Sequence, residues 1–203
     1  MPARVRLALM VFASLVILAA AGVIVFAKTD SPAAEDASGF AGATPPPNLP
    51  VRDFALRDQA GRPASLREYR GQVVVLTFMY STCKDTCPLT AVTIRGAMDE
   101  VGHDVPALAI SVDPAHDTPD TAEAFLLKES LTPNRMRFLM GTRAQLQPIW
   151  KAYGIRPQGQ GYEHSAYVFV LDKHGRERSA FPIDHLTDRD LAHDIRKLEA
   201  EPV

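Results

Sequence analysis

Two cysteines, Cys83 and Cys87, lie four positions apart, and Pro88 directly follows the second one. Proline is typical of the first turn of a helix. A thiol at a helix N-terminus ionises more easily, because the helix dipole and the unpaired backbone N–H groups stabilise its thiolate. If residues 83–87 form that first turn, side chains at positions i and i+4 share one face of the helix. Both sulfurs could then bind the same ion.

The spacing of the cysteines bears on the chemistry of the pair. Redox proteins of the thioredoxin type space their cysteines as C-x-x-C, whereas three residues separate them here. The longer spacing favours capture of a metal ion over disulfide exchange. A disulfide between Cys83 and Cys87 is the ordinary alternative for an exported protein, and it stays open.

A metal ion would need more than two thiolates, and imidazole is the commonest protein ligand for metals. The chain has six histidines, at positions 103, 116, 164, 174, 185 and 193. His164 is favoured by its position, because it directly precedes an apolar strand in the stretch that opposes the active-site loop in thioredoxin-like domains. Thioredoxins have a cis-proline there, whereas this chain has the sequence GYEHS. Two thiolates and one imidazole suit copper or zinc.

Length and composition limit the function classes. The chain has 203 residues, 23% of them charged and 46% hydrophobic. This length suggests one domain of ordinary size with extra segments, and the composition is not that of a disordered protein. A formal net charge of −2 argues against nucleic acid as the partner, because phosphate binding needs a basic face.

The N-terminus carries an uncharged run of 21 residues, positions 7–27, preceded by Arg4 and Arg6. As a helix this run would measure roughly 31 Å, about the hydrocarbon thickness of a bilayer. It could be an uncleaved anchor or a secretory signal peptide, and its length favours the anchor. In both cases the arginines stay in the cytoplasm and the remainder is exported. We therefore expect a single-pass protein of the bacterial inner membrane with its C-terminal domain in the periplasm.

The remaining boundaries follow from composition. Residues 1–6 are expected in the cytoplasm and residues 7–27 in the membrane. Residues 28–50 are rich in proline and alanine and lack apolar periodicity, so they are interpreted as a flexible tether. Residues 51–203 form the globular domain.

The globular domain is predicted to be α/β. Three continuous apolar runs predict buried strands: Gln72–Met79, Val105–Val112 and Ala166–Leu171. A shorter run, Arg178–Phe181, can pair with the third of them. Apolar residues at helical spacing predict helices from 88 to about 100 and around Ala122/Phe125/Leu126, Leu146/Ile149/Trp150/Tyr153 and Leu191/Ile195/Leu198.

The element order strand–helix–strand–helix–strand–helix–hairpin–helix predicts a thioredoxin-like central sheet flanked by helices. Ligands of such sheets bind at the carboxyl ends of the strands, an edge that would hold residues 81–87 and 113–119. Asp117 or Thr118, just before a proline, is expected to cap the next helix. Lys84 and Asp85 are expected to face solvent, and Met79 to lie in the core.

Three segments resemble the Sco/SenC family, membrane-tethered thioredoxin-like copper chaperones of respiratory oxidase assembly. They are TFMYSTCKDTCP (77–88), SVDPAHDTP (111–119), and a histidine ahead of SAYVFVLD. The resemblance covers about residues 51–199. It implies that Cys83, Cys87 and His164 hold copper, which is delivered to the dinuclear CuA centre in subunit II of cytochrome c oxidase. It also maps a family aspartate to Asp113, near the metal or at the partner interface.

The resemblance implies further partners and leaves rivals open. A disulfide cannot supply thiolate ligands, so a thioredoxin-like reductant must keep the pair reduced, and other copper carriers would exchange metal with it. The main alternative is a thiol–disulfide oxidoreductase that keeps the CuA cysteines of the oxidase reduced, for which His164 is dispensable. A thiol peroxidase is less favoured, because the lone Trp150 is predicted in the core. A redox-sensing role is the third alternative.

Overall fold

The structure is a computed structural model that describes Pro2 and residues 38–46, 49–131, 135–157 and 167–203. The chain divides into two units, residues 1–39 and 40–203, and the second unit carries the fold described below. No helix among the described residues is long and apolar enough to cross a membrane. The predicted anchor, residues 7–27, lies outside the described residues.

A five-stranded mixed sheet forms the centre of the domain, and a separate antiparallel hairpin precedes it. The strands are β1 Ala55–Arg57, β2 Pro63–Ser65, β3 Val74–Met79, β4 Ala107–Ser111, β5 Met136–Leu139, β6 Tyr167–Leu171 and β7 Glu177–Pro182. Strands β1 and β2 form the hairpin, and the strand order in the sheet is β5-β4-β3-β6-β7. Strand β3 runs parallel to β4, and β4 runs parallel to β5, whereas β6 is antiparallel to both β3 and β7.

Helices cover both faces of this sheet. The described residues include the α-helices α1 Thr86–Val101, α2 Pro119–Lys128, α3 Arg143–Ala152 and α4 Asp188–Ala200, and the short 3-10 helices Leu66–Tyr69 and Ile183–His185. Side chains of β3 alternate between two apolar clusters. Val75 and Met79 pack with α1, α2 and α4 on one face, while Leu76 and Phe78 pack with α3 and the hairpin on the other.

The predicted α/β architecture is confirmed, with small shifts in the limits of its elements. All four segments predicted as strands from the apolar runs are strands, and the last two pair as a hairpin. The helix expected from residue 88 starts at Thr86. The third strand in the expected order, for which no bounds were predicted, is β5. The β1–β2 hairpin was not predicted, because its three-residue strands are too short to show alternation.

Residues 40–43, inside the segment predicted to be a tether, pack against the domain. The Phe40 side chain is buried. Two cations lie over its ring, with the guanidinium carbon of Arg178 5.4 Å and the Lys197 ammonium nitrogen 5.2 Å from the ring centre. The interpretation of residues 28–50 as a tether therefore does not hold for these four residues. One aromatic residue in a polar stretch produces no periodicity, so the pattern could not predict this packing.

A buried carboxylate holds the backbone of the same segment. The N–H groups of Ala41 and Gly42 donate to the two carboxylate oxygens of Asp194 at 2.7 and 3.0 Å. The Ser179 hydroxyl donates to the same carboxylate at 2.5 Å. Asp194 is fully buried, and these donors offset the cost of removing its charge from water.

Gly42 is expected to be essential for this packing. A Cβ atom there would lie 2.3 Å from Ser179 Oγ and 2.8 Å from the Phe181 ring. Gly42→Ala should therefore lower the free energy of unfolding by about 1–3 kcal/mol, measured by urea denaturation with the fluorescence of Trp150. Ala41→Ser, at the exposed neighbouring position, is the control and should stay within about 0.5 kcal/mol of wild type. Equal stability of the two variants would contradict the described packing.

Candidate metal site

The two cysteines lie where β3 ends and α1 begins. Strand β3 ends at Met79, and α1 starts at Thr86 with Asp85 as its N-cap. Cys87 is therefore in the first turn of the helix, but Cys83 precedes it. The condition that residues 83–87 form the first turn is thus met by Cys87 but not by Cys83. The reason is the backbone of Asp85, which has φ −115° and ψ −88°, outside the helical range.

The sulfurs are nevertheless neighbours, because the loop turns back towards the helix. The backbone N–H of Cys87 donates to Cys83 Sγ at 3.4 Å. Thr86 Oγ1 lies 3.9 Å from Cys83 Sγ. Neither cysteine is part of a disulfide in the described part of the chain, and both are buried, with 7% and 2% of their surfaces exposed.

The surroundings separate the two thiols in acidity. Burial alone would raise the pKa of Cys83, but hydrogen bonds to its sulfur outweigh burial and lower that pKa below its usual value. These hydrogen bonds come from the thiol and N–H of Cys87, the N–H of Asp85 and the Tyr80 hydroxyl. Burial and the adjacent Cys83 strongly raise the pKa of Cys87. Burial and the same sulfur raise the pKa of Tyr80. Cys83 is therefore the thiol that ionises first.

The donor set fits a soft metal ion. Two adjacent thiolates suit copper(I) or zinc, and each must lose its proton to bind. No group of three or more His, Cys, Asp and Glu side chains in the described part of the chain could hold a metal ion. The predicted third ligand, His164, lies outside the described residues.

The described residues next to that gap lie at the cysteine end of the sheet. Strand β6 begins at Tyr167 and runs antiparallel to β3, so its start is level with the carboxyl end of β3, with Thr77 opposite Val168. The Thr77 hydroxyl donates to the carbonyl oxygen of Tyr167 at 3.0 Å. This bond fixes the entry of β6 three residues after His164.

Asp113 lies at the predicted edge of the sheet, two residues beyond the end of β4. Its side chain is 14% exposed, and its carboxylate lies 2.8 Å from Nδ1 of the exposed His116. Its N–H donates to the Ser111 hydroxyl at 3.2 Å. Its role in metal or partner binding stays a prediction.

Comparison with known proteins adds the family. The model of the SCO1/SenC family matches residues 43–200. The chain belongs to the SCO1/SenC family. The protein SenC of Rhodobacter capsulatus is 33% identical over 129 residues, which cover 59% of this chain and 57% of that protein. The chain thus spans little more than half the length of this relative.

Two solved SCO1/SenC structures are similar in fold and sequence. ScoI of Bradyrhizobium japonicum with copper bound has 26% identity and a TM-score of 0.59, and the match covers 74% of this chain and 99% of that one. Apo Sco1 of Thermus thermophilus has 26% identity and a TM-score of 0.65, with 78% and 96% covered. The mixed α/β fold of this chain thus matches the thioredoxin-like Sco structures.

Asp117 does not have the role predicted for it, which is to cap the helix that follows. Thr118 caps α2, since its hydroxyl accepts from the N–H of Thr121 at 3.2 Å. The Asp117 carboxylate points into the fold instead. It accepts from the N–H and hydroxyl of Ser81 at 2.7 and 2.6 Å and from the Ser111 hydroxyl at 2.5 Å. The interpretation of Asp117 as a cap is therefore wrong.

Sequence reasoning also missed the partners of these groups. These partners are Ser81 and Ser111. Ser111 is the polar last residue of the apolar strand β4, and Ser81 follows the end of the apolar strand β3 by two residues. That signal could have identified them. Tyr80 was missed because nothing in its sequence context distinguishes a tyrosine that hydrogen-bonds a thiol from one that packs in a core.

Other expectations for this region are confirmed. Met79 is buried in the core beside the cysteines, and Lys84 and Asp85 are exposed. Trp150 is buried, and its indole N–H donates to the carbonyl oxygen of Ser111 at 2.9 Å.

The Tyr80 hydroxyl is expected to control the reactivity of Cys83. Tyr80→Phe removes one hydrogen bond to the Cys83 thiolate, so the pKa of that thiol should rise. Alkylation of Cys83 at pH 7 should become about three- to tenfold slower, and its pH profile should move to higher pH. The measurement is the rate of iodoacetamide modification followed by mass spectrometry.

Tyr153→Phe is the matched control, because this buried tyrosine packs in the cluster on the opposite face of the sheet. It should leave the profile unchanged. A Tyr80→Phe profile that overlays the wild-type curve would show that the hydroxyl does not stabilise the thiolate.

Proposed function

We propose that this SCO1/SenC protein is a membrane-anchored copper chaperone that delivers copper to the CuA centre in subunit II of cytochrome c oxidase. The observation that carries the proposal is the pair of adjacent, buried thiols of Cys83 and Cys87, not joined by a disulfide, at the carboxyl edge of the sheet. The copper-bound state of the similar ScoI supports copper as the cargo.

Copper binding follows from the unequal acidity of the two thiols. Cys83 ionises first and supplies the first sulfur ligand. Copper then replaces the proton of Cys87, and the positive charge removes the cost of placing two thiolates side by side. His164 is the third ligand in this proposal. Its support is the entry of β6 at the cysteine end of the sheet and the preference of copper for imidazole and thiolate together.

Delivery proceeds by ligand exchange. Thiolates of the target displace Cys83 and Cys87 one after the other, so copper is never released as a free ion. Cys83 precedes the helix and can move without breaking the helical hydrogen bonds of α1. The anchor keeps the domain at the bacterial inner membrane, facing the periplasm. A thioredoxin-like reductant keeps the pair reduced, and other copper carriers exchange copper with it.

The second candidate is a thiol–disulfide oxidoreductase acting on the oxidase cysteines, and the same difference in acidity favours it. The Cys83 thiolate would attack a disulfide of the target, forming a mixed disulfide and releasing one target thiolate. Cys87 would then lose its proton and attack Cys83, forming the Cys83–Cys87 disulfide and releasing the second target thiolate. The target gains two electrons, and the pair loses two.

The ligand set is tested by copper(I) titration of the reduced full-length protein against a chromophoric chelator. Cys83→Ser, Cys87→Ser and His164→Ala should each lower copper affinity by at least the roughly 10- to 100-fold that loss of an outer-shell partner costs. His185→Ala is the control, because this histidine is exposed on a 3-10 helix, and it should bind copper as wild type does.

The same variants separate the two functions. Full copper affinity in His164→Ala would remove His164 from the ligand set. Absence of copper binding by the reduced wild-type protein, together with disulfide reductase activity that survives His164→Ala, would replace the chaperone by the oxidoreductase.

A further inference from the structure

The carboxylate of Asp117 joins the loop after β3 to the end of β4. Its Oδ1 accepts the N–H and hydroxyl of Ser81 at 2.7 and 2.6 Å, and its Oδ2 accepts the Ser111 hydroxyl at 2.5 Å. Ser81 Oγ also lies 2.8 Å from Thr121 Oγ1, in the first turn of α2. Three segments therefore meet around Ser81 and Asp117, and Ser81 is two residues before Cys83.

The position of this contact matters because the sheet no longer supports the chain there. The paired residues of β3 and β4 end with Met79 opposite Ser111, and a last backbone bond runs from the N–H of Val112 to the carbonyl oxygen of Met79 at 3.0 Å. Ser81 lies beyond this point. Its N–H bonds to Asp117 instead of to a strand.

Burial of the Asp117 carboxylate costs free energy. This cost indicates that the position of the carboxylate is specific. Ser111 is fully buried, and the carboxylate beside it has lost much of its hydration. Such burial raises the pKa of Asp117, with the nearby Asp113 adding to the rise. Burying an ionised carboxylate is unfavourable unless donors compensate, and three donors converge on this one.

We propose that Asp117 is a positioning residue for the cysteine pair. By holding Ser81 it fixes the turn in which the N–H of Cys83 donates to the carbonyl oxygen of Tyr80 at 3.2 Å. That turn sets Cys83 Sγ against the N-terminus of α1. Without the carboxylate, the end of the loop is free to move, and the two sulfurs spend less time together.

Two readouts test this positioning without copper. Asp117→Ala should speed amide hydrogen exchange at Ser81 at least tenfold, because its N–H loses its acceptor. It should also lower the equilibrium constant for forming the Cys83–Cys87 disulfide from glutathione disulfide about tenfold, which corresponds to about 30 mV in reduction potential. Both are measured on the full-length chain in detergent.

Matched variants separate positioning from a general loss of charge or stability. Asp117→Asn keeps an oxygen that accepts the Ser81 N–H, so exchange at Ser81 should stay within about threefold of wild type. Asp120→Ala removes an exposed carboxylate in the first turn of α2 and should change neither readout. Wild-type values in Asp117→Ala, or an equal change in Asp120→Ala, would overturn the proposal.

Should Asp117→Ala fail to fold, Ser81→Ala decides instead. It removes the hydroxyl contacts to Asp117 and Thr121 but keeps the bond from the Ser81 N–H to Asp117. It should lower the disulfide equilibrium constant about threefold, whereas a wild-type value overturns the proposal. The consequence for copper rests on the proposed function: copper(I) affinity should fall in Asp117→Ala and not in Asp120→Ala. If the wild-type protein binds no copper, the proposed function fails, while the exchange and disulfide readouts still decide the role of Asp117.

Discussion

The N–H group of Cys87 and the sulfur of Cys83 make the contact on which the chemistry of this protein depends. The first N–H groups of a helix have no acceptor within the helix, and the sulfur placed against them is buried. The bond stabilises negative charge on Cys83, and that charge, added to burial, keeps the proton on Cys87. The pair therefore combines one thiol of lowered pKa with one thiol of raised pKa. Neither thiol would have this property alone.

The topology of the sheet explains why this contact forms where it does. Strands β3 and β4 are parallel, so both of their following loops leave at one edge, and antiparallel β6 enters at that same edge. The direction of the strands alone therefore places the cysteine loop close to the residues after β4, whatever side chains the loops carry. Ser81, Ser111 and Asp117 then join the two loops. The fold brings the two loops close together. The hydrogen bonds between the polar side chains then hold the loops in the exact arrangement that two sulfurs need in order to bind one ion.

The topology of the sheet could be predicted from the sequence, whereas the local contacts that join the loops could not. The apolar runs of β3 and β4 are long enough to predict buried strands, and the order of the elements then predicts which edge carries the cysteines. The backbone of Asp85 could not be predicted, because one non-helical residue leaves no periodic signal, so whether Cys83 belongs to the first turn of the helix could not be predicted either. The prediction that Asp117 caps the helix is wrong for a similar reason. An aspartate before Thr-Pro fits a cap by local rules, and only the packed sheet shows that Thr118 takes that role.

The chaperone and the oxidoreductase place the same demand on the site. In both, Cys87 must give up its proton, and both burial and the neighbouring Cys83 oppose this loss. The part of the obstacle that a reaction can remove is the negative charge on Cys83. Copper lifts that obstacle by neutralising Cys83, and a mixed disulfide lifts it by converting the Cys83 thiolate into an uncharged sulfur. The acidity of the thiols therefore does not distinguish the two functions. A third ligand does, because a ring nitrogen completes the coordination of a metal ion but contributes nothing to thiol–disulfide exchange. In the proposed chaperone that nitrogen belongs to His164, so the two functions differ in what they require of a residue outside the pair.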